Sequence, residues 1–114
     1  MKTVQEIKDE MKACKKTIKN YQNAFNEKRI PEKVLQSAIL ENESMMISLN
    51  LALDMKTEQK VRDEIGSLNE KDDILRETYK NGEIDKPDFR SQLLQNSSKR
   101  LALKWVLGEN DRYD

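Results

Sequence analysis

The chain contains no histidine and a single cysteine, Cys14. Imidazole general-base catalysis and histidine-ligated metal sites are therefore excluded, and so is an internal disulfide. A lone thiol suits a reducing compartment. Glycine and proline are scarce, three and two respectively among 114 residues, which leaves few breakers to interrupt helices. Aromatic residues make up 5% of the chain, with Trp105 the sole tryptophan. No apolar run approaches the ~18 residues that span a bilayer, and the N-terminus lacks the apolar core of a signal peptide. The expectation is a soluble, cytoplasmic protein. Net charge is zero, so charge as a whole directs the chain to no partner class.

What is present is charge and helical periodicity. Charged residues are 37% and hydrophobic residues 36% of the chain, a Glu/Lys/Leu/Ile-rich mixture that reads as all-α. The length suits one domain with one core.

The opening stretch, Met1 to Met11, returns 54 residues later as Met55 to Ile65. Six of the eleven positions are identical, and the register continues without a gap to Leu53/Leu107, with 13 of 54 pairs identical. The chain is thus read as one domain made of two tandem units, 1–54 and 55–108, followed by a polar tail, 109–114. Each unit predicts a helical hairpin, and the two hairpins predict a four-helix arrangement with pseudo-twofold symmetry.

In the first helix, Val4, Ile7, Met11, Cys14, Ile18, Tyr21 and Phe25 form a 3-4-3-4 seam on one face. Thr3 and Glu6 have the Thr-x-x-Glu spacing of a capping box. A turn at 27–30 leads to Pro31, expected at the first position of the second helix. That helix carries two apolar stripes, one of Leu35, Ala38, Ile39, Met46, Leu49 and Leu53, the other of Leu40, Ile47 and Leu51. Two stripes require two neighbours. The third helix repeats the first through Val61, Ile65, Leu68, Leu75 and Tyr79. Asp72 interrupts its seam where Ile18 stood, and Gly66 suggests a bend. Asp54 and Thr57 favour a short break between the second and third helices over one continuous rod. Gly82 suits a left-handed residue after the third helix, and Asp85 an N-cap for the fourth with Pro87 in its first turn. The fourth helix carries Phe89, Leu93, Leu103, Val106 and Leu107 on one face and Leu94, Leu101 and Trp105 on another, and ends at Gly108. The second and fourth helices, apolar on two sides, are expected at the centre, flanked by the first and third.

The stretch from Ile74 to Leu94, through Gly82, Ile84, Asp85, Phe89, Leu93 and Leu94, resembles the helical hairpin of bacterial SHOCT domains. That resemblance implies oligomerisation or interaction. The ending Ala102-Leu103-Lys104-Trp105-Val106-Leu107-Gly108-Glu109-Asn110-Asp111 looks like the C-terminus of small helical proteins of phages and prophages of Gram-positive bacteria. With the internal duplication, it implies an accessory protein that binds and modulates a host protein.

No residue pattern carries catalysis. Cys14 sits on the seam, with Leu68 as its repeat partner, and reads as a buried hydrophobe. Glu41 and Glu43 lack the Glu-x-x-His companions of a di-iron site. No cofactor is implied. Asn42 and Asn96, repeat partners, read as buried amides that fix register, and Ser44 and Ser98 as small residues at a helix crossing.

Charge is unevenly distributed: +4 over 1–30, −3 over 31–54, −2 over 55–84, +3 over 85–108 and −2 in the tail. Lys8, Lys12, Lys15 and Lys19 line one face of the first helix, and Lys99, Arg100 and Lys104 cluster on the fourth. Were those helices neighbours, a basic strip for phosphates would result. The expected function is a non-catalytic interaction module, a homodimer, contacting its partner through Trp105, Lys104, Arg100 and Tyr113. The alternatives are nucleic-acid binding through Lys8, Lys12, Lys15 and Lys19, or self-association in an assembly role.

Overall fold

A computed structural model of the protein describes residues 1–110. The chain folds into four α-helices: α1 (Val4–Asn26), α2 (Glu32–Asp54), α3 (Glu58–Lys80) and α4 (Lys86–Leu107). The first three are 23 residues each and the fourth 22, so each rises about 35 Å. Equivalent helices begin 54 residues apart, as the duplication requires.

Local signals set the ends of the helices. The Thr3 hydroxyl accepts from the Glu6 N–H while Glu6 Oε1 accepts from the Thr3 N–H, both at 3.1 Å, completing the capping box. Thr57 caps α3 in the same way, accepting from the Lys60 N–H at 3.2 Å. Lysine in place of glutamate leaves that box half made. Thr57 also settles the break between the hairpins: α2 ends at Asp54, and Met55–Lys56 pass in non-helical conformation before α3 starts. Asp85 caps α4 by accepting from the Asp88 N–H at 2.9 Å. Pro31 is the N-cap of α2, one residue earlier than its expected place in the first turn. Helix α3 runs through Gly66 and Ser67 without interruption. Gly66 is exposed there, so its lack of a side chain opens no gap in the packing.

The two hairpin turns share one backbone solution. Lys28 has φ 60° and its repeat partner Gly82 has φ 74°. Both close the preceding helix with a left-handed residue, and only the second uses the residue type that adopts it freely.

The helices pack in the row α1–α2–α4–α3. The central helices are the two with a second apolar stripe, as expected. The row is flat, with principal extents of 41 × 40 × 21 Å. The core lies towards one end, where α1 and α3 begin and α2 and α4 finish. It joins Ile7 and Cys14 of α1, Met45, Leu49 and Ala52 of α2, Val61 and Leu68 of α3, and Ala102, Leu103 and Val106 of α4. Ser44, Ser48, Ser98 and Ala102 are also buried, and their small side chains suit the close approach of α2 and α4. The chain start is tied into the second repeat by the Lys2 N–H, which donates to the Val106 carbonyl at 2.7 Å.

Away from that end the packing is thinner. Tyr21, Val34 and Tyr79 are exposed, and Phe25, Leu35 and Phe89 are half-buried. Of the seven seam positions of α1, Ile7 and Cys14 are buried, while Val4 and Tyr21 face outward. Tyr79 and Phe89 stack with ring centroids 4.3 Å apart, pinning the tip of the second hairpin.

Candidate interaction surfaces

One buried polar cluster interrupts the repeat symmetry. The carboxylate of Asp72 on α3 is almost fully enclosed and accepts from Asn96 Nδ2 of α4 at 2.9 Å and from the guanidinium of Arg100, one turn further along α4. Arg100 is itself mostly covered. In the first repeat these positions are Ile18, Asn42 and Met46. There the amide of Asn42 turns back to its own helix and donates to the Ala38 carbonyl at 2.8 Å. Thus Asp72, read from sequence as a defect in the seam, is a partner for two α4 side chains. Its spacing alone gave no sign of that, because the pairing joins residues 24 and 28 positions apart on different helices.

The expected partner-binding residues are not a single patch. Arg100 is engaged with Asp72. Lys104 is exposed. Trp105 is half-buried, with the Lys2 ammonium 5.1 Å from its ring centroid in a cation–π arrangement. Tyr113 lies outside the described residues.

Lys8, Lys12 and Lys15 are exposed and line a shallow groove of about 350 Å³ with Gln5, Met11 and Leu53. Lys19 is exposed further along α1. This face does not join the basic residues of α4, because α2 stands between α1 and α4 in the row. The merged basic strip expected from adjacent first and fourth helices therefore does not form.

Two features emerge from the tertiary structure. The outer stripe of α2 leaves Ile47 52% and Leu51 43% exposed, although the sequence asks for a second neighbour there. The N-terminal halves of α2 and α4 flank a groove of about 710 Å³, lined by Lys33, Gln36, Ser37, Leu40, Lys86, Pro87, Arg90, Ser91 and Leu94.

The pKa of Glu6 is held below its ordinary 4.5, chiefly by the Thr3 backbone N–H and next by the Thr3 hydroxyl. Cys14 is fully buried. Among the described residues no group of three or more acidic or cysteine side chains is placed to hold a metal ion, and no helix is long and apolar enough to cross a membrane. No family model matches the chain, and no curated protein or solved structure is significantly similar to it.

Proposed function

We propose that the protein is a non-catalytic interaction module that binds and modulates another protein, in the manner of a phage or prophage accessory protein acting on a host target in the cytoplasm. The observation that carries this reading is the exposure of Ile47 and Leu51 on α2. Large apolar side chains on a central helix of a small domain mark a surface meant to be covered. Trp105 and Lys104 are lesser candidates for contact, and Tyr113 is kept as a candidate from the sequence alone. Homodimerisation through the same apolar surface belongs to this reading.

The test is capture of a partner from nuclease-treated bacterial lysate by the immobilised full chain, beside an Ile47→Glu/Leu51→Glu variant. One dominant protein that the variant loses, with helical content unchanged, supports the reading. Equal capture by both, or capture of nothing, counts against it. Light scattering on both proteins at several concentrations reads the dimer.

A second reading is favoured by the gathering of Lys8, Lys12 and Lys15 round one groove. In it the protein binds nucleic acid through phosphate contacts. Binding of duplex DNA that weakens steeply with salt, and that Lys8→Glu/Lys15→Glu abolishes, would move this reading to first place.

A further inference from the structure

The groove between α2 and α4 combines apolar and basic side chains, as the smaller groove on α1 does, but here two helices each supply both kinds. Its lining includes Leu40, Leu94 and Pro87, and its charged lining is basic: Lys33, Lys86 and Arg90. No carboxylate lines it. Two neighbouring carboxylates have partners of their own: Glu32 accepts from Gln36 Nε2 at 3.3 Å, and Asp85 accepts from the Asp88 N–H. Among the described residues Lys33, Lys86 and Arg90 form no ion pair, whereas Arg29, Arg62, Arg76 and Arg100 each have one.

The groove is also a product of the duplication. Ser37 and Ser91, Leu40 and Leu94, and Gln36 and Arg90 are repeat partners that face one space from the two central helices. Only the second repeat adds charge at the last of these pairs. Leu40 further belongs to the same stripe of α2 as Ile47 and Leu51. From Leu40 to Leu51 that stripe extends about 16 Å, or three helical turns.

We propose that this groove receives an acidic amphipathic helix of the partner protein. An apolar side chain of that helix seats between Leu40 and Leu94, and its carboxylates meet Lys33, Lys86 and Arg90. The chemistry of the lining selects this occupant. Three cations gathered on one groove with no carboxylate in its lining favour anionic groups, and leucines beside them reward an apolar anchor. A nucleic-acid strand would satisfy the cations but would find no aromatic side chain in the lining on which to stack a base. This inference rests on the interaction-module reading and names the partner's contact chemistry.

The experiment uses the full chain and a fluorescein-labelled 18-residue peptide with leucine at helical i, i+3, i+4 and i+7 spacing and glutamate elsewhere. A second peptide carries lysine in place of glutamate. Fluorescence anisotropy is expected to show saturable binding of the acidic peptide alone. Lys33→Glu/Lys86→Glu/Arg90→Glu should weaken it at least tenfold, while Lys33→Arg/Lys86→Arg retains it. All these positions are exposed, so circular dichroism should match the parent. Equal binding of the two peptides, failure of the acidic peptide to bind, or an unchanged affinity in the triple variant overturns the proposal. So does tighter binding of a 20-base single-stranded DNA or of phosphatidylglycerol vesicles than of the acidic peptide. Lysate capture by the same triple variant separates the two levels. A partner retained by it but lost by Ile47→Glu/Leu51→Glu refutes the groove and leaves the module reading standing. Absence of any captured partner refutes that reading itself.

Discussion

Asn96 donates its side-chain amide to Asp72 across the α3–α4 interface at 2.9 Å, whereas its repeat partner Asn42 donates to its own helix. One amide, at equivalent positions of a duplicated hairpin, thus does two different things. The deciding residue is on the neighbouring helix: aspartate at 72 and isoleucine at 18. With an acceptor in reach the amide crosses the interface. Without one it satisfies itself by back-bonding four residues earlier.

This difference makes the cluster a test of what buried ion pairs do for stability. Asp72→Ala should cost about 3 kcal/mol, because Arg100 and Asn96 lose their shared acceptor in a covered site. Asp72→Ile combined with Arg100→Met installs the first-repeat pattern and lets Asn96 bond to its own helix. That double variant should lie within about 1 kcal/mol of the parent or above it, since well-packed apolar residues often replace buried ion pairs without loss. Urea unfolding followed by circular dichroism measures both.

The hairpin turns predict effects of opposite sign. Lys28 has a side chain at φ 60°, where glycine is favoured. Lys28→Gly should stabilise by up to about 1 kcal/mol, and Gly82→Ala should destabilise by about 1 kcal/mol. Thermal melts of the two variants suffice. A loss of stability in Lys28→Gly would show that unfolded-chain entropy outweighs the relief of backbone strain there.

Helix α3 lacks the glutamate that completes the box in α1. Lys60→Glu supplies it and removes a cation from a helix N-terminus. A rise in melting temperature of roughly 2–4 °C is expected. The Thr57→Ala/Lys60→Glu variant should lose most of that gain, because the reciprocal box needs both side chains.

The depressed pKa of Glu6 gives a pH dependence with a defined sign. Its folded pKa lies below the ordinary 4.5, so ionised Glu6 stabilises the fold above that pH, and the contribution is lost as pH falls through the folded value. Glu6→Gln should therefore lower stability near neutrality, leave it unchanged at low pH, and remove the corresponding step from the acid limb of the stability profile. Carbon-detected NMR titration of the Glu6 side chain checks the direction.

The thiol of Cys14 should be inert to a disulfide reagent in the native protein, being fully buried. Its modification rate should follow opening of the core and rise with urea in step with unfolding. Fast reaction in buffer would mean that the α1 end of the row opens locally.

Much of the fold was legible before any tertiary information. Thr3, Thr57 and Asp85 mark helix starts by their hydroxyl and carboxylate chemistry, which acts within four residues. The two-sided apolarity of α2 and α4 placed them at the centre. Ile7, Leu49, Leu68 and Leu103, each read from an apolar stripe, are buried. The surfaces were harder to read. Periodicity assigns a residue to a helix face but not to a neighbour, so Ile47 and Leu51 read like core and stand exposed, while Ser48 and Met45 are buried. The lysines of α1 and the basic residues of α4 looked mergeable until the row order put α2 between them.

What the sequence by itself determined is everything governed by short range: four helices, their caps, their duplication and their pairing into hairpins. Capping and apolar periodicity act over a few residues, and a near-repeat at a fixed offset imposes equivalent elements. The tertiary structure alone decided that Asp72 pairs with Asn96 and Arg100, that Trp105 lies beneath Lys2, and that Lys33, Lys86 and Arg90 share one groove. Each is a meeting of side chains from different elements. Its existence depends on helix order and rotation about the helix axis, which composition and spacing leave open.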